Sequence, residues 1–145
     1  MSWPEPRLGL VIRYSYLWRR EHEAGQEEGV KDRPCAVVLA IEAEDGEKTV
    51  YVLPVTHAAP AEPQDAVELA RTTKARLGLD SERSWIMVSE GNSFVWPGPD
   101  LRFQPDRGPE SVAYGMLPPA VFKTVKQRFL ERVQAHRAGI VERTQ

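Results

Sequence analysis

Two strand-forming segments joined by a short charged turn constrain the fold of this chain most. Residues 35–41, CAVVLAI, follow an Arg-Pro pair, and their length and composition predict a strand buried on both faces. Residues 49–57, TVYVLPVTH, are mostly β-branched, aromatic and apolar, and the segment EAEDGEK separates the two runs. The pattern predicts an antiparallel hairpin, in which Arg33 meets Thr56 and His57 at one end of the sheet.

The other segments predict short strands and one long terminal helix. Further strands are expected at residues 8–18, 66–69 and 84–90. A helical turn should end at Gly78, the sequence GNSF at 91–94 predicts a turn, and residues 1–7 predict a surface tail. An apolar stripe at helical spacing predicts a helix over 118–138. The sum is a single mainly β domain with helices (α+β), whose curved sheet forms a partly open barrel.

The composition limits the partners and the redox chemistry of the chain. The formal net charge of the 145 residues is −2, so any contact with RNA must be local. Cys35 is the single cysteine, and its apolar neighbours predict a packed thiol. The N-terminus has no apolar signal-peptide core, and no run reaches membrane-spanning length. We therefore expect a cytoplasmic protein without membrane contact.

The end of the predicted hairpin carries the best candidates for chemistry. A guanidinium at Arg33 can clamp two phosphate oxygens, Thr56 can donate a hydrogen bond to one, and the imidazole of His57 suits proton transfer at neutral pH. The structural alternatives are a salt bridge from Arg33 to Asp32 or Glu28 and a strand-end cap at Thr56. Together the three groups suit a phosphodiester substrate.

Several motifs in this half of the chain resemble the MazF/PemK/Kid family of growth-inhibitor toxins. They are Gly9 in the first strand, the loop AGQEEGVKDRP at 24–34, the run CAVVLAI, and PVT at 54–56. The segment LGLDSERSWIMVSEGNSFVWPG is similar to a PemK-like subgroup, and the terminal helix fits as well. The resemblance implies an SH3-like, partly open barrel of the MazF/CcdB type with a C-terminal helix, assembled as a homodimer.

The resemblance also implies an activity and its residues. The family members are metal-independent, sequence-selective endoribonucleases of type II toxin-antitoxin systems, which cleave single-stranded RNA and are neutralised by an antitoxin protein. Arg33 matches the central catalytic arginine, Thr56 the motif hydroxyl, and Glu90 the acid at the end of a later strand. No metal and no cofactor are expected, since neither His22 nor His136 has a second ligand at metal-binding spacing.

Five further side chains are candidates for RNA contacts beside the catalytic group. They are Arg13, Arg19, Arg20, Lys31 and Asn92. The aromatic residues Tyr14, Tyr16 and Trp18 alternate along the first strand and could stack on bases if exposed. We favour a core role for them.

Two alternatives to a nuclease are kept open. One is a non-enzymatic toxin or binding module on the same fold, such as a gyrase poison of the CcdB type. The other is a catalytically weakened descendant that still binds RNA. It is favoured by the residues around Glu90, since Gly91 and Ser93 replace a Gln and an Arg of many relatives, and Val88 replaces an arginine that one branch uses as acid.

Overall fold

The computed structural model describes residues 3–26, 29, 31–104, 106–135 and 138–143. Within those residues the strands are β1 (Leu10–Tyr14), β2 (Arg33–Glu42), β3 (Lys48–Thr56), β4 (Ala66–Leu69), β5 (Ser84–Met87), β6 (Glu90–Trp96), β7 (Ala113–Met116) and β8 (Gly139–Glu142). The α-helices are α1 (Arg19–Glu23), α2 (Arg71–Arg76) and α3 (Pro119–Gln134).

The predicted hairpin of β2 and β3 is confirmed. The strands pair antiparallel from Glu42 opposite Lys48 to Cys35 opposite Pro54. The turn between them is closed by Asp45, whose Oδ1 accepts a hydrogen bond from the backbone N of Glu47 at 2.9 Å. The short polar turn sets the register beside it, and a β-bulge between Val37 and Leu39 shifts the register by one residue toward the hairpin end.

Strand β3 is the hub of a curled half-barrel sheet. The main path of the sheet runs β4-β5-β3-β2-β1-β7, and β6 pairs with β3 and with β8. The first part of β3 pairs with β6, and Val55 and Thr56 at its end pair with β5. The protein is thus mainly β with a few helices, as predicted for an α+β chain. Because β3 changes neighbours along its length, its C-terminal end lies where β2, β5 and β6 come together.

The two faces of β2 pack into two hydrophobic clusters. Ala36 and Val38 belong to the cluster that contains Val125 and Phe129 of α3. Cys35 and Val37 face the cluster that contains the aromatic side chains of the first strand. Burial on both faces is therefore confirmed for 35–38. It is wrong for the end of the run, since Ile41 is 56% exposed.

Two predictions for the C-terminal half are wrong. Residues 91–94 form part of β6 instead of a turn, and all four are buried. The interior accommodates them closely. Gly91 lies so near the carbonyl of Val52 that a Cβ would be 2.8 Å from its oxygen. The predicted helix over 118–138 begins at Pro119 but ends at Gln134. It is followed by β8, which pairs parallel with β6.

Smaller differences concern the first strand and the loops. Strand β1 covers only part of the predicted 8–18, and the polar loop after it contains the short helix α1. Leu101, in the loop after β6, is 6% exposed and bridges to Tyr14. Among the described residues, no helix combines the length and the apolar character needed to cross a membrane.

Candidate functional site

Four predicted catalytic residues line one open cavity at the end of the β2-β3 hairpin. Continuing the hairpin register puts Arg33 level with Thr56, and His57 follows directly. Glu90 begins β6, which pairs with β3. The cavity holds about 470 Å³, and its wall also includes Trp18, Arg20, Lys31 and Met87.

A smaller cavity of about 180 Å³ shares part of this wall. Arg33, Thr56 and His57 line both cavities. The smaller one continues to the segment around α2, where its wall is formed by Lys74, Asp80 and Ser84. The hairpin end is therefore reached by charged groups from two directions.

The guanidinium of Arg33 is held by one hydrogen bond and one aromatic ring. Its Nη1 donates to the carbonyl oxygen of Val55 at 3.3 Å, and its Cζ lies 4.8 Å from the ring centroid of Trp18. Its Nε is buried and finds no acceptor within the part of the chain that the structure describes. A guanidinium offers five N–H donors, so within the described residues the Nη groups of Arg33 keep donors that an anion in the cavity could engage.

The structural alternative for Arg33 was a salt bridge. The carboxylate of Asp32 instead pairs with two other arginines, at 3.6 Å from Arg13 and 3.5 Å from Arg102. The other partner considered, Glu28, lies outside the described residues. Asp32 therefore anchors the approach to β2 without neutralising Arg33.

Thr56 caps the end of β3, which is the structural role that the sequence left open. Its Oγ1 accepts a hydrogen bond from the backbone N of Ala58 at 3.2 Å. A hydroxyl that accepts one hydrogen bond can still donate its own proton. The cap therefore fixes the side chain, and its O–H can still donate to another acceptor.

His57 is paired with Asp80, a residue that sequence reasoning missed. The distance from His57 Nε2 to Asp80 Oδ2 is 2.9 Å, and the second carboxylate oxygen of Asp80 accepts a hydrogen bond from Lys74 Nζ at 2.6 Å. The side chain of Lys74 is only 4% exposed. The hydrogen bond from Lys74 is the main cause that lowers the pKa of Asp80, and the bond with His57 adds to it. Asp80 is thus an anion at neutral pH.

The same cluster contains the groups that could hold a cation. Ligand atoms of His57, Asp80 and Glu82 lie within 4.8 Å of one another, all on exposed side chains. No metal site was predicted from the sequence, because that prediction rested on His22 and His136 alone. The ammonium of Lys74 already supplies positive charge to Asp80.

Glu90 is built into the scaffold by one of its two oxygens. Oε2 accepts a hydrogen bond from the hydroxyl of Tyr16 at 2.9 Å and another from the backbone N of Arg19 at 2.9 Å. Burial, together with the adjacent Glu90, raises the pKa of Tyr16, so its hydroxyl remains a donor. Glu90 therefore reaches the cavity from a fixed position.

Of the five residues predicted to contact RNA, two line the cavity, two are directed elsewhere and one, Asn92, is buried. Arg20 and Lys31 line the larger cavity. Arg13 and Arg19 are directed elsewhere: Arg13 Nη1 donates to the carbonyl of Phe103 at 2.9 Å, and Arg19 Nε pairs with Glu23 at 3.0 Å. Only the first two are positioned to meet a ligand of the cavity.

The prediction that Asn92 contacts RNA is wrong. Its side chain is fully buried, with an exposed fraction of 0%. Its amide nitrogen donates to the carbonyl of Leu17, and its Oδ1 accepts from the backbone N of Leu17 and from Arg143. The amide therefore holds the chain after β1 against β6. A polar residue between small neighbours was mistaken for part of an exposed turn.

The core roles expected for two aromatic residues and for the cysteine are confirmed. Tyr14 and Tyr16 are 0% and 1% exposed. Trp18 is half-buried, and its ring also contacts Arg20, whose Cζ is 5.3 Å from the centroid. Cys35 is fully buried, which raises the pKa of its thiol and makes it a packing residue.

The cavity brings together a cation, a hydroxyl, an imidazole and a carboxylate. This set can bind a phosphodiester and move a proton at one of its oxygens. No protein-family model and no curated protein matches the chain.

Proposed function

We propose that this protein is a metal-independent, sequence-selective endoribonuclease, the toxin of a type II toxin-antitoxin system similar to MazF, PemK and Kid. The observation that carries the proposal is the shared cavity of Arg33, Thr56, His57 and Glu90, about 470 Å³ in volume. The substrate is single-stranded RNA, and the protein acts in the cytoplasm.

Cleavage of RNA without a metal needs a base for the 2′-hydroxyl, a cation for the charged phosphate and an acid for the leaving oxygen. Arg33 supplies the cation, since its fork matches two phosphate oxygens and its hydrogen bond to Val55 is long, at 3.3 Å. Thr56 donates to a further phosphate oxygen. His57 and Glu90 are the groups of this cavity that can exchange a proton.

The wall around these residues supports a single-stranded substrate. Trp18 is half-buried at the edge of the cavity and offers part of an aromatic ring on which a base can stack. Arg20 and Lys31 add positive charge there, although the whole chain has a formal net charge of −2. The local charge suits a short stretch of RNA backbone.

The assembly that we propose follows the same family. The curled sheet followed by α3 is compatible with an SH3-like barrel of the MazF/CcdB type. Such a protein forms a homodimer with a groove bordered by residues 18–32, and the antitoxin places a peptide in that groove. Light scattering at micromolar concentration tests the dimer, and a monomeric mass contradicts it.

The test of the activity uses a long unstructured RNA with EDTA present. We expect the wild type to cleave it and to leave 2′,3′-cyclic phosphate ends. Arg33→Ala should lower the cleavage rate roughly a hundredfold or more. The matched control is Arg128→Ala, which removes another half-buried arginine that donates to backbone carbonyls but lies outside both cavities. Cleavage that requires an added divalent ion, or equal loss in the two variants, contradicts the proposal.

One observation favours a second candidate, an RNA-binding protein that has lost most of its activity. Oε2 of Glu90 already accepts two hydrogen bonds from the scaffold, and Asn92 is buried beside it in β6. In that case the wild type binds the RNA in a filter-binding assay but leaves it intact. The cleavage assay on the same sample distinguishes the two candidates.

A further inference from the structure

The carboxylate of Asp80 determines which nitrogen of His57 carries a proton. Oδ2 of Asp80 lies 2.9 Å from Nε2 of His57, whereas the carboxylate of Glu82 is 3.7 Å from the same nitrogen. An ionised carboxylate can only accept, so a neutral imidazole in this pair carries its proton on Nε2. Nδ1 then holds the lone pair and is available to a group in the cavity.

Asp80 is itself held in a fixed orientation. Its Oδ1 accepts hydrogen bonds from Lys74 Nζ at 2.6 Å and from the backbone N of Glu82 at 3.1 Å. The ammonium of Lys74 also donates to the carbonyl of Glu82 and to Ser84 Oγ. All three protons of Lys74 are therefore engaged, which makes Lys74 an anchor and not a proton-transfer group.

We propose that Asp80 is a positioning residue and that Nδ1 of His57 is the atom that moves the proton in RNA cleavage. The inference rests on the proposed function. Nδ1 removes the proton of the 2′-hydroxyl while the O2′–P bond forms, and the P–O5′ bond breaks. The imidazolium then returns that proton to O5′. The products are a 2′,3′-cyclic phosphate and a 5′-hydroxyl, with no oxidant, reductant or metal consumed.

The charged groups around His57 come from several elements. They are Asp80 and Glu82 after α2, Lys74 on α2, Arg33 at the start of β2 and Lys31 before it. A divalent cation is the competing ligand for His57, Asp80 and Glu82. It would share Asp80 with the nearby ammonium of Lys74, and the repulsion between the two cations disfavours it.

The first measurement reads the protonation of the ring directly by ¹⁵N NMR on the full chain. His57→Gln identifies the signal of His57 among the three histidines. We expect a protonated Nε2 and an unprotonated Nδ1 in the neutral ring. In Asp80→Asn both tautomers should be populated, because an amide can donate as well as accept. Glu82→Gln is the matched control and should leave the tautomer unchanged.

Two results of this measurement overturn the pairing. One is a protonated Nδ1 in the wild type, which needs no variant and does not depend on how Asp80→Asn folds. The other is an unchanged tautomer in a folded Asp80→Asn. Neither result requires that the protein cleave RNA, so they are separate from a failure of the proposed function.

The second measurement is the kinetics of RNA cleavage with EDTA present. Asp80→Asn should lower kcat at least about tenfold with KM unchanged, since a positioned general acid–base group is worth about 100-fold or more. Asp80→Glu should recover part of the rate. A loss confined to KM, or an absolute requirement for added divalent ions, overturns the inference. A wild type that binds RNA without cleaving it overturns the proposed function, and the NMR result still decides the pairing of His57 with Asp80.

Discussion

Two arginines of this protein meet very different surroundings. Arg143 lies in the interior, where its side chain is 3% exposed and donates to the carbonyl of Ser15 at 2.8 Å, to Asn92 Oδ1 at 3.0 Å and to Asp100 Oδ1, which is 3.1 Å away. Arg33 lies at the cavity with one hydrogen bond of 3.3 Å to a carbonyl. Both guanidiniums also lie near an aromatic ring.

The two arginines therefore differ in role: Arg143 belongs to the scaffold and Arg33 to the candidate site. A buried charge is tolerated when other groups of the protein engage it, and the cluster of Arg143, Asn92 and Asp100 meets that condition. Its bonds tie the segments around Ser15 and Asp100 to β6. Arg33 is fixed by Trp18 and Val55 but keeps donors for a ligand. The same type of side chain stabilises the fold in one place and keeps donors at a cavity in the other.

The largest expected effect comes from breaking the interior cluster. Arg143→Met should lower the free energy of unfolding by about 3–5 kcal/mol, because it removes a guanidinium that pairs with the buried carboxylate of Asp100 at 3.1 Å. Urea denaturation measures the loss. The double variant Arg143→Met with Asp100→Leu should lose clearly less. If Arg143→Met unfolds at the same urea concentration as the wild type, the cluster does not stabilise the fold.

The second-largest expected effect is on the rate of RNA cleavage and not on the stability of the fold. Arg33→Ala should raise the barrier to RNA cleavage by about 3 kcal/mol, roughly a hundredfold loss or more, by analogy with removal of one oxyanion-hole donor. Arg33→Lys should recover little, because a point charge lacks the bidentate fork. Single-turnover cleavage and urea denaturation of the same samples separate the two quantities. A stability loss as large as that of Arg143→Met would assign Arg33 to the scaffold.

The hairpin end was predictable from the sequence because its determinants are local. Apolar runs define the two strands and a short turn joins them, so Arg33 is expected at the same end of the hairpin as Thr56 and His57. The exact pairing was not predictable, because a β-bulge between Val37 and Leu39 shifts the register by one residue. The partner of His57 did not follow, because Asp80 is 23 residues away and reaches it through the path of β4, α2 and the loop after α2.

The two wrong predictions for the C-terminal half share one physical cause. Residues 91–94 have the composition of a turn, yet the interior engages the amide of Asn92 with Leu17 and Arg143. Strand β8 has four residues and pairs in parallel with a distant strand. Such elements are stabilised by long-range hydrogen bonds, and a single sequence shows the local pattern but not the partner.

Glu90 is hydrogen-bonded to the scaffold and also lines the cavity. Two substitutions separate these two roles. Glu90→Gln keeps an acceptor for Tyr16 and for the backbone of Arg19, so it should cost less cleavage than Arg33→Ala, about tenfold or less. Glu90→Ala leaves the buried hydroxyl of Tyr16 unpaired and should also lower the free energy of unfolding by about 1–3 kcal/mol. Thermal denaturation and RNA cleavage of both variants provide the test. Equal stability of the two variants contradicts the scaffold role of Glu90.

The smallest expected effect is the acid sensitivity that Asp80 gives to the fold. The hydrogen bond from Lys74 lowers the pKa of Asp80 below its ordinary value of 3.8. A carboxylate whose pKa is lower in the folded state stabilises the protein above the pKa of the unfolded chain, and the contribution is lost as the pH falls through the folded pKa. Because the side chain of Asp80 is 51% exposed, solvent screening limits the contribution to on the order of 1 kcal/mol or less.

The measurement compares the free energy of unfolding of the wild type and of Asp80→Asn between about pH 4.5 and about pH 2.5, a range below the ordinary pKa of an imidazole. The other carboxylates titrate in both proteins, so the change in the difference over this range reports on Asp80. We expect the advantage of the wild type to shrink below 3.8, where protonation of Asp80 weakens its bonds to Lys74 and His57. A difference that grows on acidification would mean that the fold favours the protonated form of Asp80. In that case Asp80 could not accept a hydrogen bond from His57 as a carboxylate. The proposed role of Asp80 in positioning His57 would then be wrong.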